Sequence, residues 1–283
     1  MTLDHVVAAV LAWGGPELRD LPWRRTRDPW LVLVSEVMSQ QTQVHRVIPK
    51  WERFIDRFPT PEACAAASLG EILELWQGLG YPRRARNLHL SAQRIAARGG
   101  VPHDLDDLLA LPGVGEYTAR AVLAFAFDAD VAVIDTNVGR VVARLIGRRL
   151  TPREVREVAD ALVPRGDAWL WNQALMDLGG TICTARAPGC DRCPVERWCD
   201  WRGDVDRDDP AKGSAGVSRS QGAFRGSARQ ARGALLKALV SGSVERGCVS
   251  EIMDRSNDIA ERLLADLVAD GLCVIDGDRV RLP

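Results

Sequence analysis

Ten segments of this 283-residue chain repeat apolar residues at intervals of three and four, and that periodicity restricts the chain as far as Trp201 to helices. The segments are 3–13, 30–37, 44–58, 71–79, 83–97, 104–111, 117–127, 138–146, 153–162 and 168–178. Breakers separate them, at Pro29, Pro59-Thr60-Pro61, Gly99-Gly100, Pro112-Gly113 and Pro152. No alternation of period two is sustained in this part, so a sheet has no strands to be made from. The body is expected to be all-α.

The pattern changes after Trp201. Residues 203–227 are rich in Gly, Ser, Ala and charge and read as a linker. Helices are expected over 229–239 and 258–269, with a shorter one at 249–255, and residues 273–282 alternate around Asp276-Gly277 as a β-hairpin does. Three helices followed by a hairpin suggest a winged-helix-like α+β module, which in other proteins binds DNA, binds a partner or only packs. No apolar run approaches the roughly 20 residues of a membrane span. Asp4 and the lack of a basic cluster beside it argue against a secretory signal.

Net charge is misleading here. The 37 Lys+Arg and 38 Asp+Glu nearly cancel, which at first excludes a polyanionic partner. The charges are segregated, however. Residues 210–237 hold six basic side chains (Lys212, Arg219, Arg225, Arg229, Arg232 and Lys237) and no acid, whereas 247–283 hold four arginines and eight acids.

Seven cysteines without a secretory signal disfavour a disulfide framework. Four of them, Cys183, Cys190, Cys193 and Cys199, are spaced to wrap one tetrahedral centre from a single loop. Zinc and a [4Fe–4S] cluster are both candidates; a single CxxC knuckle with two wider gaps suits the cluster better than a zinc ribbon. Cys64, Cys248 and Cys273 lie in apolar surroundings.

Three further features carry chemistry. Leu111-Pro112-Gly113-Val114-Gly115 joins two helical patterns, and its glycines let backbone N–H groups point outward at a helix start, as an anion site requires. The same string also serves as a plain corner between helices. Glu36 is a charge inside the apolar run Leu31-Val32-Leu33-Val34-Ser35-Glu36-Val37-Met38. Asp135 follows Val131-Ala132-Val133-Ile134 at a natural N-cap position. An acid whose pKa burial raises, together with a carboxylate kept ionised, is what cleavage of a glycosidic bond through an oxocarbenium-like state needs. Their bland alternatives are a partnered polar residue and a helix cap.

Five blocks occur in a known order: Ser35-Glu36-Val37-Met38-Ser39-Gln40-Gln41-Thr42-Gln43-Val44, Gly78-Leu79-Gly80-Tyr81, Leu111 to Tyr117, Ile134-Asp135-Thr136-Asn137-Val138, and Asn172 to Gly179. With the four cysteines they resemble the adenine DNA glycosylases of the helix-hairpin-helix superfamily, the MutY family, over about 180 residues from Leu21 to Trp201. The resemblance implies a bilobal all-α fold. Residues 1–21 and 129–203 would form a lobe holding a [4Fe–4S] cluster on Cys183, Cys190, Cys193 and Cys199. Residues 22–128 would form a six-helix lobe with the hairpin, followed by a linker at 204–227 and a C-terminal winged-helix-like module at 228–283.

It also implies roles. Glu36 would protonate adenine N7, Asp135 would stabilise or capture C1′ of the sugar, and Asn137 would hydrogen-bond to it. Tyr117 stands where strand-cleaving relatives carry a Schiff-base lysine, so the chain would be a monofunctional glycosylase without efficient strand cleavage. Gln41 and Tyr81 would wedge into the duplex as the nucleotide flips. Trp23, Arg24 and Asp177 would line the adenine pocket; each also has a packing or surface explanation. Gly113, Gly115 and Arg186 would hold DNA phosphates. The expected partner is double-stranded DNA with adenine opposite 8-oxoguanine or guanine, bound by a monomer in the cytoplasm at the nucleoid.

Three departures stand out: Pro82 where many relatives have a second tyrosine, Gly139 where some carry lysine, and only about 80 residues after Cys199 where many members append a MutT-like domain that recognises 8-oxoguanine. Two other functions share these features, a thymine or uracil mismatch glycosylase and a non-catalytic iron–sulfur DNA-binding protein.

Overall fold

A computed structural model describes residues 3–214 and 224–283. The described residues form fourteen α-helices and one three-stranded sheet, arranged in two compact units. One unit comprises residues 3–29, 103–105 and 115–214; the other comprises 30–102, 106–114 and 224–283.

The unit that contains the chain start is built on α1 (Leu3–Glu17). The second unit's helices intervene in sequence: α2 (Pro29–Ser39), α3 (Val44–Arg57), α4 (Pro61–Ala66), α5 (Leu69–Trp76), α6 (Pro82–Arg98) and α7 (Leu105–Leu109). The first unit resumes with α8 (Glu116–Ala126), α9 (Thr136–Ile146), α10 (Pro152–Leu162) and α11 (Ala168–Thr181), then the cysteine loop. Within it α1 packs along α11, and α11 against α9. Gly14 makes the first contact possible, because a Cβ there would lie 2.3 Å from Cβ of Ala174. Gly179 does the same for the second, where a Cβ would lie within 3.0 Å of the Asn137 backbone.

Helix α4 is absent from the periodicity-based expectation. Pro61 begins it rather than breaking the chain: Thr60 caps it by accepting the Ala63 N–H, and proline occupies the first helical position, where no N–H is needed. Helix α5 starts earlier than its apolar pattern, at Leu69, because Ser68 and Glu71 form a reciprocal capping box.

The C-terminal region contains α12 (Ala228–Ser241), β1 (Val244–Glu245), α13 (Val249–Met253), α14 (Asn257–Ala269), β2 (Val274–Asp276) and β3 (Arg279–Arg281). The sheet is antiparallel in the order β1-β3-β2, with Val280 opposite both Val244 and Ile275. The hairpin lies where the alternation put it; β1, two residues long, has no pattern to read. This helix–strand–helix–helix–hairpin arrangement is winged-helix-like. It belongs to the second unit: α12 packs on α5, Leu282 lies 3.5 Å from the position a Cβ would take at Gly70, and Arg83 pairs with Asp270 at 3.3 Å.

The start of the 204–227 stretch is folded onto the first unit. Asp209 accepts two hydrogen bonds from Arg144 at 3.0 and 2.7 Å, Ala211 is buried, and Ser214 Oγ accepts the Leu150 N–H at 3.2 Å. Composition did not reveal this, since the partners, Arg144 and Leu150, lie about 65 residues earlier in the chain. Residues 215–223, including Arg219 of the basic stretch, lie outside the described residues. Among the described residues no helix is long and apolar enough to cross a membrane.

Candidate active site

Each unit carries one of the two singled-out carboxylates. In the first, Asp135 is the N-cap of α9. Its Oδ1 accepts the backbone N–H groups of Asn137 at 2.8 Å and Val138 at 2.7 Å, and its Oδ2 accepts Asn137 Nδ2 at 2.8 Å. The cap reading is therefore correct as local structure, and it places a carboxylate at the positive end of a helix dipole. The residue keeps some exposure, but protein crowds the carboxylate. That desolvation raises its pKa above the usual value, and the three N–H donors with nearby Arg140 offset the rise only in part.

Asn137 is itself held. Arg140 donates from Nη2 to Asn137 Oδ1 at 2.8 Å and to the Gly179 carbonyl at 2.5 Å, and from Nε to the Cys183 carbonyl at 2.7 Å. A continuous chain of hydrogen bonds thus runs from Asp135 through Asn137 and Arg140 to the first cysteine of the loop. Tyr117 lies half-buried in the first turn of α8.

Of the proposed adenine-pocket residues, the structure joins two directly. Asp177, 1% exposed, accepts Arg24 Nη1 at 2.7 Å and Nη2 at 2.9 Å. Arg19 adds its backbone N–H at 2.9 Å and Nε at 2.7 Å. Burial acts to raise the Asp177 pKa, but the hydrogen bonds from Arg24 and Arg19 outweigh it and hold the carboxyl below its ordinary value. Trp23 is buried beside Arg24 in the 3-10 turn Pro22–Arg25.

In the second unit Glu36 lies on α2, 7% exposed, among buried Trp30, Val32, Leu33, Val34, Val37 and Met38. The sequence expectation of a charge on an apolar helix is the arrangement found. Gln41, just past α2, and Tyr81, the N-cap of α6, are both left-handed, with φ of 54° and 49°. Gly113 has φ 76°, and a Cβ there would meet Asn87 at 2.8 Å, so both backbone and space call for glycine. The hairpin is anchored from α6: Ser91 Oγ donates to the Pro112 carbonyl at 2.9 Å and Arg94 Nη1 to that of Ala110 at 2.7 Å. Gly115 is the extended N-cap of α8 and offers no capping side chain, which suits an external acceptor at that helix start.

Cys183, Cys190, Cys193 and Cys199 are free thiols that line one cavity together with Val141, Leu145, Leu178 and Ile182. Burial pushes Cys193 up to about 11 and raises Cys190 and Cys199, and the neighbouring thiols add to each rise. Four cysteines on one cavity are the donor set a thiolate-ligated group needs, although among the described residues no three His, Cys, Asp or Glu side chains are brought together as a metal site. Arg144, 2% exposed, donates to Cys183 Sγ at 3.3 Å and stands 4.6 Å above the Trp201 ring. Arg186 is exposed on the loop, apart from these contacts.

Sequence reading missed Arg140 and Arg144. The signal was available: two arginines four apart on the apolar face of the 138–146 pattern, the same anomaly that marked Glu36.

Residues 34–165 match the HhH-GPD superfamily of base excision DNA repair proteins. An adenine DNA glycosylase of Mycolicibacterium smegmatis is 44% identical over 273 residues, which cover 93% of this chain and 90% of that protein. Among solved structures, a thermostable thymine-DNA glycosylase aligns with a TM-score of 0.68 at 31% identity, covering 71% of this chain and 96% of its own. Endonuclease III trapped as a covalent DNA intermediate aligns with a TM-score of 0.63 at 27% identity, over 73% of this chain and all of that one. The chain belongs to the adenine DNA glycosylase family, within the helix-hairpin-helix superfamily of base excision DNA repair proteins.

Proposed function

We propose that this chain is a monofunctional DNA glycosylase that removes adenine mispaired with 8-oxoguanine or guanine. The observation that carries the chemistry is the Asp135 site, a carboxylate fixed by three N–H donors and backed by Arg140. Such an anion is organised in advance of the reaction, ready for positive charge developing on a deoxyribose. Adenine as the base is supported by the activity of the relatives.

In this reading Glu36 donates its proton to adenine N7 as the bond between C1′ and N9 breaks, and the bonding electrons leave with the base. Asp135 balances the cationic sugar, held in orientation by Asn137. Water then adds to C1′ and returns a proton to the Glu36 carboxylate. A phenol cannot form an imine, so Tyr117 gives no covalent intermediate and the strand stays intact. Trp23, Arg24 and Asp177 bound the adenine pocket. Gln41 and Tyr81 enter the duplex, while Gly113, Gly115 and Arg186 take phosphates.

Cys183, Cys190, Cys193 and Cys199 would hold a [4Fe–4S] cluster, which when bound would tie the loop together. Anaerobically purified protein is expected to show broad visible charge-transfer absorbance; a colourless protein with one zinc per chain overturns the assignment. The enzyme is taken to act as a monomer at the nucleoid, where its substrate lies.

The structural likeness to a thymine-DNA glycosylase favours one alternative, removal of thymine or uracil from a mismatch. Single-turnover base release from duplexes with adenine opposite guanine, 8-oxoguanine and cytosine, and with thymine or uracil opposite guanine, decides between them. Release of pyrimidine without adenine sinks the proposal, and DNA binding without release of any base assigns the chain to a non-catalytic role.

A further inference from the structure

Tyr81 and Gln41 are bulky residues in a backbone region that L-residues occupy at a cost of order 1–3 kcal/mol, and surrounding contacts must hold them there. One side chain contacts both loops. Arg84, in the first turn of α6, donates from Nη1 to the carbonyls of Val37, Met38 and Gln40 at 2.9, 2.9 and 2.7 Å. From Nη2 it donates to Thr42 Oγ1 at 3.0 Å and to the carbonyls of Leu79 and Gly80 at 3.1 and 3.0 Å. Its guanidinium carbon lies 5.4 Å from the Trp76 ring centroid and 5.5 Å from that of Tyr81.

These acceptors are not incidental. Val37 and Met38 end α2, where carbonyls have no helical partner. Gln40 and Thr42 flank Gln41, and Leu79 and Gly80 precede Tyr81. None of the ion pairs among the described residues includes Arg84, so its charge is solvated by backbone dipoles. A planar fork reaches two loops at once; a lysine ammonium, a point donor, does not.

We infer that Arg84 is the positioning residue that sets Gln41 and Tyr81 as one rigid wedge for separating the target nucleotide from its partner. The inference rests on the proposed role of those two residues in DNA. It assigns Arg84 to the flipping step rather than to bond cleavage, so its effect depends on whether the substrate must be unpaired.

The test uses the full chain with Arg84→Met and Arg84→Lys. Single-turnover adenine release is measured from a guanine mismatch and from a duplex with adenine opposite an abasic analogue, where no partner base must be parted. For Arg84→Met a loss of roughly 30-fold is expected on the mismatch and less than about threefold opposite the abasic analogue. Arg84→Lys should show the same bias at lower amplitude. A 2-aminopurine beside a non-cleavable target should lose its fluorescence rise in parallel with the mismatch rate. Equal losses on both duplexes, or an unchanged fluorescence rise, overturn the inference. If Arg84→Met does not fold, Arg84→Lys decides by the same ratio. Absence of release from either duplex by the wild-type chain would instead refute the glycosylase reading.

Discussion

The two carboxylates differ in how the fold supports them. Asp135 is surrounded by donors: two backbone N–H groups, an amide and, through that amide, Arg140. Glu36 is buried on α2, a helix whose other buried residues are apolar except for Ser35. At Asp135 the N–H donors offset the desolvation of the carboxylate only in part, and the proposed mechanism asks that carboxylate to be the anion facing a cationic sugar. The same mechanism asks Glu36 to give a proton. On this proposal one functional group serves two roles from two different local settings.

Substitution of Glu36 should have the largest effect. Glu36→Gln keeps shape and burial but has no proton to give, and single-turnover adenine release should fall roughly 10³-fold or more with duplex affinity little changed. The comparison is sharpened by the base. With 7-deazaadenine, which has no N7 to protonate, the wild type should be as slow as Glu36→Gln on adenine. Asp135→Asn should lose roughly 10²–10³-fold on adenine. Substantial release by Glu36→Gln, or brisk cleavage of the deaza base, breaks the division of labour.

The pH profile should report Asp135 from the other side. Its folded-state pKa is raised, so the anion that the proposed mechanism needs forms at a higher pH than for an ordinary aspartate. The acid limb of single-turnover rate should move accordingly, and in Asp135→Asn that contribution should vanish from the residual rate. The same sign applies to stability. The native state binds this proton more tightly than the unfolded chain, so Asp135 favours folding most at low pH and less as pH rises through its raised pKa.

Arg140→Met comes next. It leaves Asp135 capped but releases Asn137 and the Cys183 carbonyl, and a loss of roughly tenfold in release is expected, with Asp135→Asn unaffected further when the two are combined. Additive losses would show that Arg140 acts elsewhere.

How much of this was legible follows from what each residue touches. Asp135 announced itself through local spacing, an apolar run before it and a helical pattern after it. Glu36 was legible as a charge where the period demanded an apolar residue. Arg140 and Arg144 carried that same signal. Arg84 did not, because all but one of its partners are main-chain carbonyls, some just before it and some more than forty residues earlier, and backbone acceptors leave no mark in a sequence. Asp209 looked like linker because a charged, Gly-rich neighbourhood hides one buried arginine's counter-ion. The two-unit division was legible only through the family resemblance, since contact between distant segments decides it and leaves no local mark.

Asp177 offers a contrasting carboxylate, paired with Arg24 and Arg19. Asp177→Asn leaves the buried Arg24 without its counter-ion and should cost of order 3 kcal/mol at neutral pH. Its folded pKa is lowered, so the stabilisation is present above the unfolded value and is lost as pH falls through the folded one. Denaturant midpoints of wild type and variant should therefore converge in acid, opposite in sign to Asp135. Midpoints that stay parallel would mean that packing, not charge, carries the loss.

The smallest effect concerns charge at long range. A chain with net charge −1 holds a polyanion only through local donors, which makes each phosphate contact count. Arg186 is exposed on the cysteine loop. If it neutralises one phosphate, Arg186→Ala should flatten the plot of log affinity against log salt by about 0.9, weaken matched and mismatched duplexes alike, and leave single-turnover release at saturation unchanged. That outcome would separate holding DNA from acting on it. An unchanged slope would instead leave the phosphate work to other donors, among them the uncharged backbone N–H groups at Gly113 and Gly115, which add nothing to the salt slope.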